Sequence, residues 1–256
     1  MEKALSGREE MLARIGGALG RRTTAPPERL APFSHAPTVA PSQGELVSRF
    51  TAEVLRLGGR VAEVRSAAEV KGYLESLLPA GRPATVALSD GAAACAPGLR
   101  AWLAGRDALV VPSLREFARV VGSEQSEVGG DPSAGAGALM ENYKRALLEA
   151  DIGVTTADYA IADSGTLVLV SGGEQHRLIS LLPPVHVCLL DAARLSPDAN
   201  GLMARLREQF YSPGGRTPQA TTFITGPSRT ADIEHTVTLG VHGPRELHVL
   251  LVRSRL

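Results

Sequence analysis

The sequence has few cysteines. Only Cys95 and Cys188 occur among its 256 residues. A disulfide scaffold needs several cysteine pairs, and an iron–sulfur cluster or a cysteine-rich zinc module normally takes four thiolates. We therefore expect neither a disulfide framework nor an iron–sulfur cluster in this chain, and we expect it to bind no metal.

The sequence also lacks an excess of charge of either sign. Its 27 lysines and arginines balance 27 aspartates and glutamates, and aromatic residues make up only 4% of the chain. A balanced chain has no long-range field to attract nucleic acid, and scarce aromatic side chains offer no platform on which bases could stack. We therefore expect no nucleic-acid binding.

No apolar run reaches the roughly 18 residues that a transmembrane helix needs. Charged residues interrupt the apolar positions of the N-terminus, MEKALSGREEMLARIGG, so it lacks the apolar region of a signal peptide. These absences predict a cytoplasmic protein without membrane insertion.

Two nucleotide-binding patterns are missing as well. Neither the phosphate loop G-x-x-x-x-G-K-[ST] nor the dinucleotide loop G-x-G-x-x-G occurs. The kinase and dehydrogenase classes therefore lose support, and we expect no dinucleotide cofactor on this chain.

What is present predicts one globular domain with an N-terminal appendage. Four Ser-x-x-Glu capping boxes mark helix starts, at Ser6, Ser42, Ser66 and Ser113. Five prolines in residues 21–41 disfavour a continuous helix or central strand there. We assign residues 1–41 to a helix with a proline-rich arm and residues 42–256 to an α/β domain. The first helix either docks on the domain, which we favour, or contacts another chain.

Short β-branched runs alternate with helical patterns from residue 60 onward. The runs cover residues 61–64, 85–88, 109–111, 166–170, 185–190, 222–225 and 247–252. Such alternation predicts three layers, with a mainly parallel sheet covered by helices on both faces. A glycine- and serine-rich segment, residues 122–137, predicts a mobile loop.

Ligands bind open α/β sheets at the carboxyl ends of the strands, so polar residues beside the runs are the first candidates. Four motifs meet this condition: residues 151–156, 163–166, 226–234 and 242–244. We expect all four to converge on one cleft.

The loop 225–230 admits three interpretations. Its hydroxyls, backbone donors and Arg229 could hold an anion at a helix start, or Ser228 or Thr230 could simply cap a following helix. Ser228 also has the strand-to-helix setting of a hydrolase nucleophile, with His235 and His242 as possible bases and Asp232 as the group that orients the base. Thr230, however, replaces the glycine that the sharp turn needs. We favour the first two.

Two other sets of residues also have alternative interpretations. Residues 163–166 suit a tight turn, or a loop that presents Asp163 and two hydroxyls to a polar ligand. A strand would place His186 and Cys188 on one face. A metal site would need tertiary convergence with His242 and His248, so these histidines are otherwise pocket or core imidazoles.

Several segments of the second half together resemble the lactate utilisation protein C family, whose members contain a LUD domain. The resemblance is carried by residues 151–156 (DIGVTT), 159–166 (YAIADSGT), 175–186 (QHRLISLLPPVH), 224–234 (ITGPSRTADIE) and 240–244 (GVHGP). One departure is Ser164, where the family commonly has threonine, so the hydroxyl is retained. The resemblance implies a fold similar to the NagB/RpiA/CoA-transferase-like group.

The resemblance also implies a role in oxidising L-lactate to pyruvate with two partner proteins, at least one of which carries iron–sulfur clusters. Removing a hydride equivalent needs a redox centre that side chains do not supply, so this chain would be a non-redox component. The alternative is a stand-alone enzyme on a CoA-transferase-like or sugar-phosphate-isomerase-like scaffold that acts on a small anionic substrate.

The candidate site follows from the motifs and the resemblance together. A small anion such as lactate or pyruvate is its expected ligand, and Glu234 and Asp163 are the candidate catalytic residues. The candidate substrate-binding residues are Asp151, Thr155, Thr156, Asp163, Ser164, Gly165, Thr166, Arg177, His186, Gly226, Ser228, Arg229, Thr230, Asp232, Glu234, His242 and Gly243.

Overall fold

The computed structural model describes residues 41–124, 132–171, 177–211, 218–231 and 237–253, together with residues 11, 14 and 17. The chain forms two compact units, Met1–Thr38 and Val39–Leu256. In the first unit, residues 11, 14 and 17 are helical. All elements named below belong to the second unit. In the described part of the chain, no helix has the length and apolar character required to cross a membrane.

The second unit alternates helices and strands. Its helices are α1 (Gln43–Arg56), α2 (Ala67–Glu75), α3 (Asp90–Cys95), α4 (Leu99–Ala104), α5 (Leu114–Glu124), α6 (Pro132–Leu148) and α7 (Ala199–Tyr211). Its strands are β1 (Arg60–Val64), β2 (Thr85–Leu88), β3 (Leu109–Val111), β4 (Ile152–Thr156), β5 (Tyr159–Ile161), β6 (Thr166–Ser171), β7 (Val185–Asp191), β8 (Leu195–Ser196), β9 (Ala220–Thr225), β10 (Arg229–Ala231), β11 (Val237–Leu239) and β12 (Glu246–Val252). Short 3-10 helices cover Ala162–Ser164, Arg177–Ser180 and Ala192–Arg194.

Six strands form a parallel sheet in the order β1-β12-β7-β4-β2-β3. Alternate residues of β7 face opposite sides: Val187 and Leu189 pack with α2, α3 and α4, whereas Cys188 and Leu190 pack with α1. Helix α6 covers the β2 and β3 side of this second face. The predicted α/β class, with a parallel sheet between layers of helices, is confirmed.

A second sheet lies beside α1. It has the order β8-β5-β6-β9, and both β5–β6 and β6–β9 are antiparallel pairs. Leu167 on one face joins the core with α1, and Val168 on the other face packs on α7. The runs 166–170 and 222–225 were predicted in the parallel sheet. Strand β6 is buried on both faces, so its sequence is a continuous apolar run. Such a run is typical of a strand in a parallel sheet, and it therefore predicted the wrong sheet for β6.

Helix α1 begins where its sequence predicts. Ser42 accepts a hydrogen bond from the Glu45 backbone N–H, and the Glu45 carboxylate accepts one from the Ser42 backbone N–H. This reciprocal pairing satisfies two donors at the helix start. The helix ends just before Gly58, which has a φ of 84°. Ser66 likewise accepts from the Glu69 backbone N–H at the start of α2.

Two local predictions differ from the structure. The loop expected over residues 122–137 is shorter than predicted, because residues 122–124 end α5 and residues 132–137 begin α6. Residues 125–131 lie outside the described residues, and there the loop stays a prediction. Proline is well suited to the first position of a helix, which explains the start at Pro132. The residues after the 225–228 turn form β10, paired antiparallel with β11, where a helix was expected.

Candidate functional site

A cleft of about 410 Å³ lies where the second sheet meets the parallel sheet. Its walls are the end of β9 (residues 222–225), the turn 226–229, the loop 242–244, residues 180–181 and Leu57. Five predicted site residues line it: Gly226, Ser228, Arg229, His242 and Gly243.

The cleft lies at the amino ends of parallel strands. Leu57 precedes β1, Leu181 precedes β7 and Pro244 precedes β12. We expected a ligand site at the carboxyl ends; this cleft lies at the opposite ends, and the location of the ligand site stays a prediction. The rule for open sheets concerns strands of the parallel sheet, whereas the polar turn follows β9, which belongs to the second sheet.

Arg229 connects the turn to the end of α1. Its Nη2 atom donates a hydrogen bond to the Leu57 carbonyl oxygen over 2.6 Å, and the guanidinium lies against Gly58. A cation is favourable at a helix C-terminus, where backbone carbonyls carry partial negative charge. A guanidinium presents five N–H groups, and one of them, on Nη2, donates to Leu57.

Backbone hydrogen bonds fix the turn against the loop that carries His242. The Ser228 backbone N–H donates to the Pro244 carbonyl over 2.9 Å, and the Gly240 N–H donates to the Ser228 carbonyl over 3.1 Å. These bonds hold Arg229 and His242 on walls of the same cleft.

The polar groups of the cleft favour an anion. Arg229 and His242 line it with four hydroxyl residues, Ser180, Thr222, Thr225 and Ser228, and its described lining contains no aspartate or glutamate. Hydroxyls and a guanidinium can each donate hydrogen bonds to a carboxylate. The arrangement can therefore bind a small acid.

The turn 225–230 neither caps a helix nor forms a nucleophile elbow. Residues 229–231 directly after the turn form a strand, so neither Ser228 nor Thr230 caps a helix at this point, and Ser228 lacks the strand-to-helix setting. Only the backbone of Thr230 is described, and Asp232 and Glu234 lie outside the described residues. The roles predicted for those two acids stay predictions.

The motif 163–166 lies along α1. The Asp163 carboxylate accepts a hydrogen bond from Arg49 over 2.8 Å, with both side chains half exposed, and Gly165 lies against the α1 backbone at Val54. Asp163 does not line the cleft. The motif reaches the cleft through hydroxyls: Ser164 bonds to Thr166, and Thr166 bonds to Thr225.

Asp151 lies at the start of β4 and connects this strand to β2. It accepts hydrogen bonds from Arg82 and from the Thr85 backbone N–H. Burial raises the pKa of Asp151, but the hydrogen bonds from Arg82 and Thr85 and the Arg82 charge outweigh burial and lower it. Asp151 does not line the cleft, so of the four predicted motifs only 226–234 and 242–244 do.

Thr155 and His186 are buried in the parallel sheet. Thr155 Oγ1 and His186 Nε2 are 2.8 Å apart and form a hydrogen bond. Burial, with a contribution from the nearby His248, lowers the pKa of His186 to about 3, so the ring is neutral near pH 7. Thr156 ends β4, and the exposed Arg177 begins a 3-10 helix. None of these four residues lines the cleft.

The remaining histidine and cysteine candidates are core groups. His248 is buried, with its ring nitrogens 2.9 Å from Tyr73 Oη and 3.1 Å from Glu246 Oε2. Burial raises the pKa of the Cys188 thiol to about 12. Among the described residues, no group of three or more His, Cys, Asp and Glu side chains is placed to hold a metal ion.

Sequence analysis did not assign Leu57, Ser180, Thr222 or Thr225 to the site. Thr225 was visible only as the first residue of the polar loop. Leu57 contributes as the residue that ends α1, and no local pattern connects it with Arg229, which is 172 positions away.

The family model of the LUD domain matches residues 47–252 of the chain. The chain belongs to the LUD domain family. The match includes every residue that lines the cleft, from Leu57 to Pro244. The site described above is therefore part of the LUD domain itself.

Two curated relatives of this LUD domain chain are named lactate utilization protein C. The one from Halalkalibacterium halodurans is 41% identical over 107 residues, which are 42% of this chain and 46% of that protein, so the chain spans less than half of its length. The one from Anoxybacillus flavithermus is 28% identical over 251 residues, which are 96% of this chain and 100% of that protein.

A solved structure has the same fold as this LUD domain. It is the crystal structure of a DUF162 family protein from Deinococcus radiodurans, with a TM-score of 0.50 and 23% sequence identity. The match covers 84% of this chain and 100% of that chain. At this identity the likeness concerns the fold alone.

Proposed function

We propose that this LUD domain protein acts in lactate utilisation as a non-redox component that binds a small carboxylate at Arg229. The observation that carries the proposal is the cleft itself, whose described lining contains Arg229, His242 and four hydroxyl residues but no carboxylate. The relatives named lactate utilization protein C support lactate, or its oxidation product pyruvate, as the ligand.

The proposal assigns electron transfer to partner proteins. Oxidising lactate removes a hydride equivalent, and this requires a redox centre that protein side chains do not supply. The chain has two cysteines, and Cys188 is buried in the core. Two further lactate utilisation proteins, at least one with iron–sulfur clusters, would supply the redox centre, while this protein holds the acid.

We expect the purified chain to show no visible iron–sulfur or flavin absorption and no lactate oxidation on its own. Activity should appear only when the iron–sulfur partner proteins are added. Absorption spectra and lactate-dependent dye reduction measure the two expectations. Dye reduction by this chain alone, in a preparation free of other redox proteins, would contradict the non-redox assignment.

Replacing Arg229 by alanine should weaken lactate and pyruvate binding by about tenfold or more, because hydrogen bonds to charged groups contribute more than neutral ones. Arg229→Lys should recover only part of the affinity, since lysine keeps the charge but loses the planar pair of donors. Isothermal titration with lactate and pyruvate measures both changes.

Arg49→Ala is the matched control for Arg229. Arg49 also connects α1 to the second sheet, through Asp163, but it does not line the cleft. This variant should bind both acids as the wild type does. Because Arg229 also bonds to Leu57, Arg229→Ala should lower the melting temperature slightly. A lower melting temperature with unchanged affinity would make Arg229 a structural brace and end the carboxylate proposal.

A further inference from the structure

Three hydroxyl groups form a chain that leads from the cleft into the second sheet. Ser164 Oγ is 2.7 Å from Thr166 Oγ1, and Thr166 Oγ1 is 2.9 Å from Thr225 Oγ1. Thr166 and Thr225 are paired residues of β6 and β9. Thr166 is buried, whereas Thr225 is exposed and lines the cleft. The row of three hydroxyl groups therefore ends at the proposed ligand site, with Thr225.

The hydrogen bonds between the three hydroxyl groups can point in either direction. A hydroxyl has one proton to donate and lone pairs with which to accept. If Thr225 donates to Thr166 and Thr166 donates to Ser164, the Thr225 oxygen can accept a hydrogen bond from a ligand. If both bonds are reversed, the Thr225 proton is available to the ligand. The same three side chains can therefore meet a ligand donor or a ligand acceptor without moving.

We infer that Thr225, positioned by Thr166 and Ser164, recognises the oxygen on carbon 2 of the acid bound in the cleft. The inference rests on the proposed function, in which Arg229 holds the carboxylate. Thr225 and Arg229 flank the same turn, whose Gly226 has a φ of 80°. A 2-hydroxy acid can donate a hydrogen bond from its hydroxyl, whereas the carbonyl of a 2-oxo acid only accepts one. Because the hydrogen bonds of the three hydroxyl groups can reverse, Thr225 can pair with either acid.

The test compares three acids that share a carboxylate and differ at carbon 2: lactate, pyruvate and propionate. Wild-type protein should bind lactate and pyruvate about tenfold more tightly than propionate, because propionate has no oxygen on carbon 2 with which the Thr225 hydroxyl can form a hydrogen bond. Thr225→Val removes the hydroxyl at nearly constant shape, and it should reduce lactate and pyruvate affinity to that of propionate while propionate binding is unchanged. Thr225→Ser should keep the discrimination.

Two further variants separate recognition from folding. Thr221→Val makes the same change on the same strand outside the cleft and should alter no affinity. Ser164→Ala shortens the hydroxyl chain without touching the cleft lining, and it should reduce the preference over propionate while the melting temperature stays within a few degrees of the wild type. Isothermal titration and thermal melts provide both readouts.

The outcomes distinguish this inference from the proposed function. If wild-type protein binds propionate as tightly as lactate, or if Thr225→Val weakens all three acids equally, recognition by Thr225 is wrong and the carboxylate site at Arg229 stands. If the wild type binds none of the three acids, the proposed function fails and this inference fails with it.

Discussion

Replacing Gly153 by alanine should lower the melting temperature and weaken carboxylate binding together. Gly153 is the second residue of β4, and a Cβ atom there would overlap the Ile179 carbonyl oxygen and lie 3.1 Å from Pro183 Cγ. The 3-10 helix Arg177–Ser180 therefore rests directly on the β4 backbone. An added methyl group must push it away from the sheet.

Overpacking of this kind costs about 1–3 kcal/mol, and more where backbone must shift. In a domain of this size each kcal/mol changes the melting temperature by about 2–4 °C, so we expect a fall of about 5–10 °C. Ser180 and Leu181 line the cleft at the end of the displaced segment. The affinity for lactate should therefore fall in the same variant.

Gly72→Ala is the control for this substitution. Gly72 lies inside α2, where an added Cβ would have no atom within 4 Å apart from the neighbouring backbone of its own helix. Alanine favours helix over glycine by about 1 kcal/mol. The same chemical change should therefore raise the melting temperature slightly. Equal melting temperatures for Gly153→Ala and wild type would contradict the close approach of residues 177–180 to β4.

The features that sequence analysis predicted depend on neighbours along the chain. The start of α1 follows from Ser42 and Glu45, which satisfy each other's backbone donors within one turn. The alternating faces of β7 follow from residues 187–190, which divide between the two cores of the parallel sheet. Local patterns of this kind were sufficient for the α/β class.

The features that sequence analysis missed depend on residues that are far apart along the chain. Arg229 bonds to a carbonyl 172 positions away, and Asp163 bonds to Arg49, 114 positions away. No spacing in the sequence records either pair. The edge at which the cleft opens depends on β9 pairing with β6 in a second sheet, and an apolar run buried on both faces does not distinguish that sheet from the parallel one.

Acid should destabilise the protein between about pH 6.5 and pH 3, and His186 should account for a measurable part of the loss. The ring is completely buried, and burial with the nearby His248 lowers its pKa from the ordinary 6.5 to about 3. The unfolded chain therefore takes up a proton below pH 6.5 that the folded protein refuses until about pH 3. The contribution of the neutral His186 ring to the free energy of unfolding is therefore fully present above pH 6.5, and it is lost as the pH falls through this window.

The size of the effect follows from proton linkage. Each pH unit below 6.5 favours the unfolded state by at most about 1.4 kcal/mol for one group, so the loss at pH 4.5 approaches about 2–3 kcal/mol. The pKa of His248 is also lowered by burial, and it adds to the loss in the same direction. A single substitution at His186 isolates its share, because His248 and the carboxylates titrate alike in both proteins.

His186→Gln is that substitution, since glutamine can still hydrogen-bond to Thr155 but does not titrate. We expect it to be less stable than wild type at pH 7.5 and to lose less stability on acidification, so that the two curves of unfolding free energy against pH converge towards pH 4.5. Urea denaturation at a series of pH values measures both curves. Parallel curves would mean that the folded protein protonates His186 as readily as the unfolded chain does. A ring that is protonated so readily would be accessible to water, so His186 would not be a core residue. The ligand-binding role that its sequence motif predicts would then be favoured.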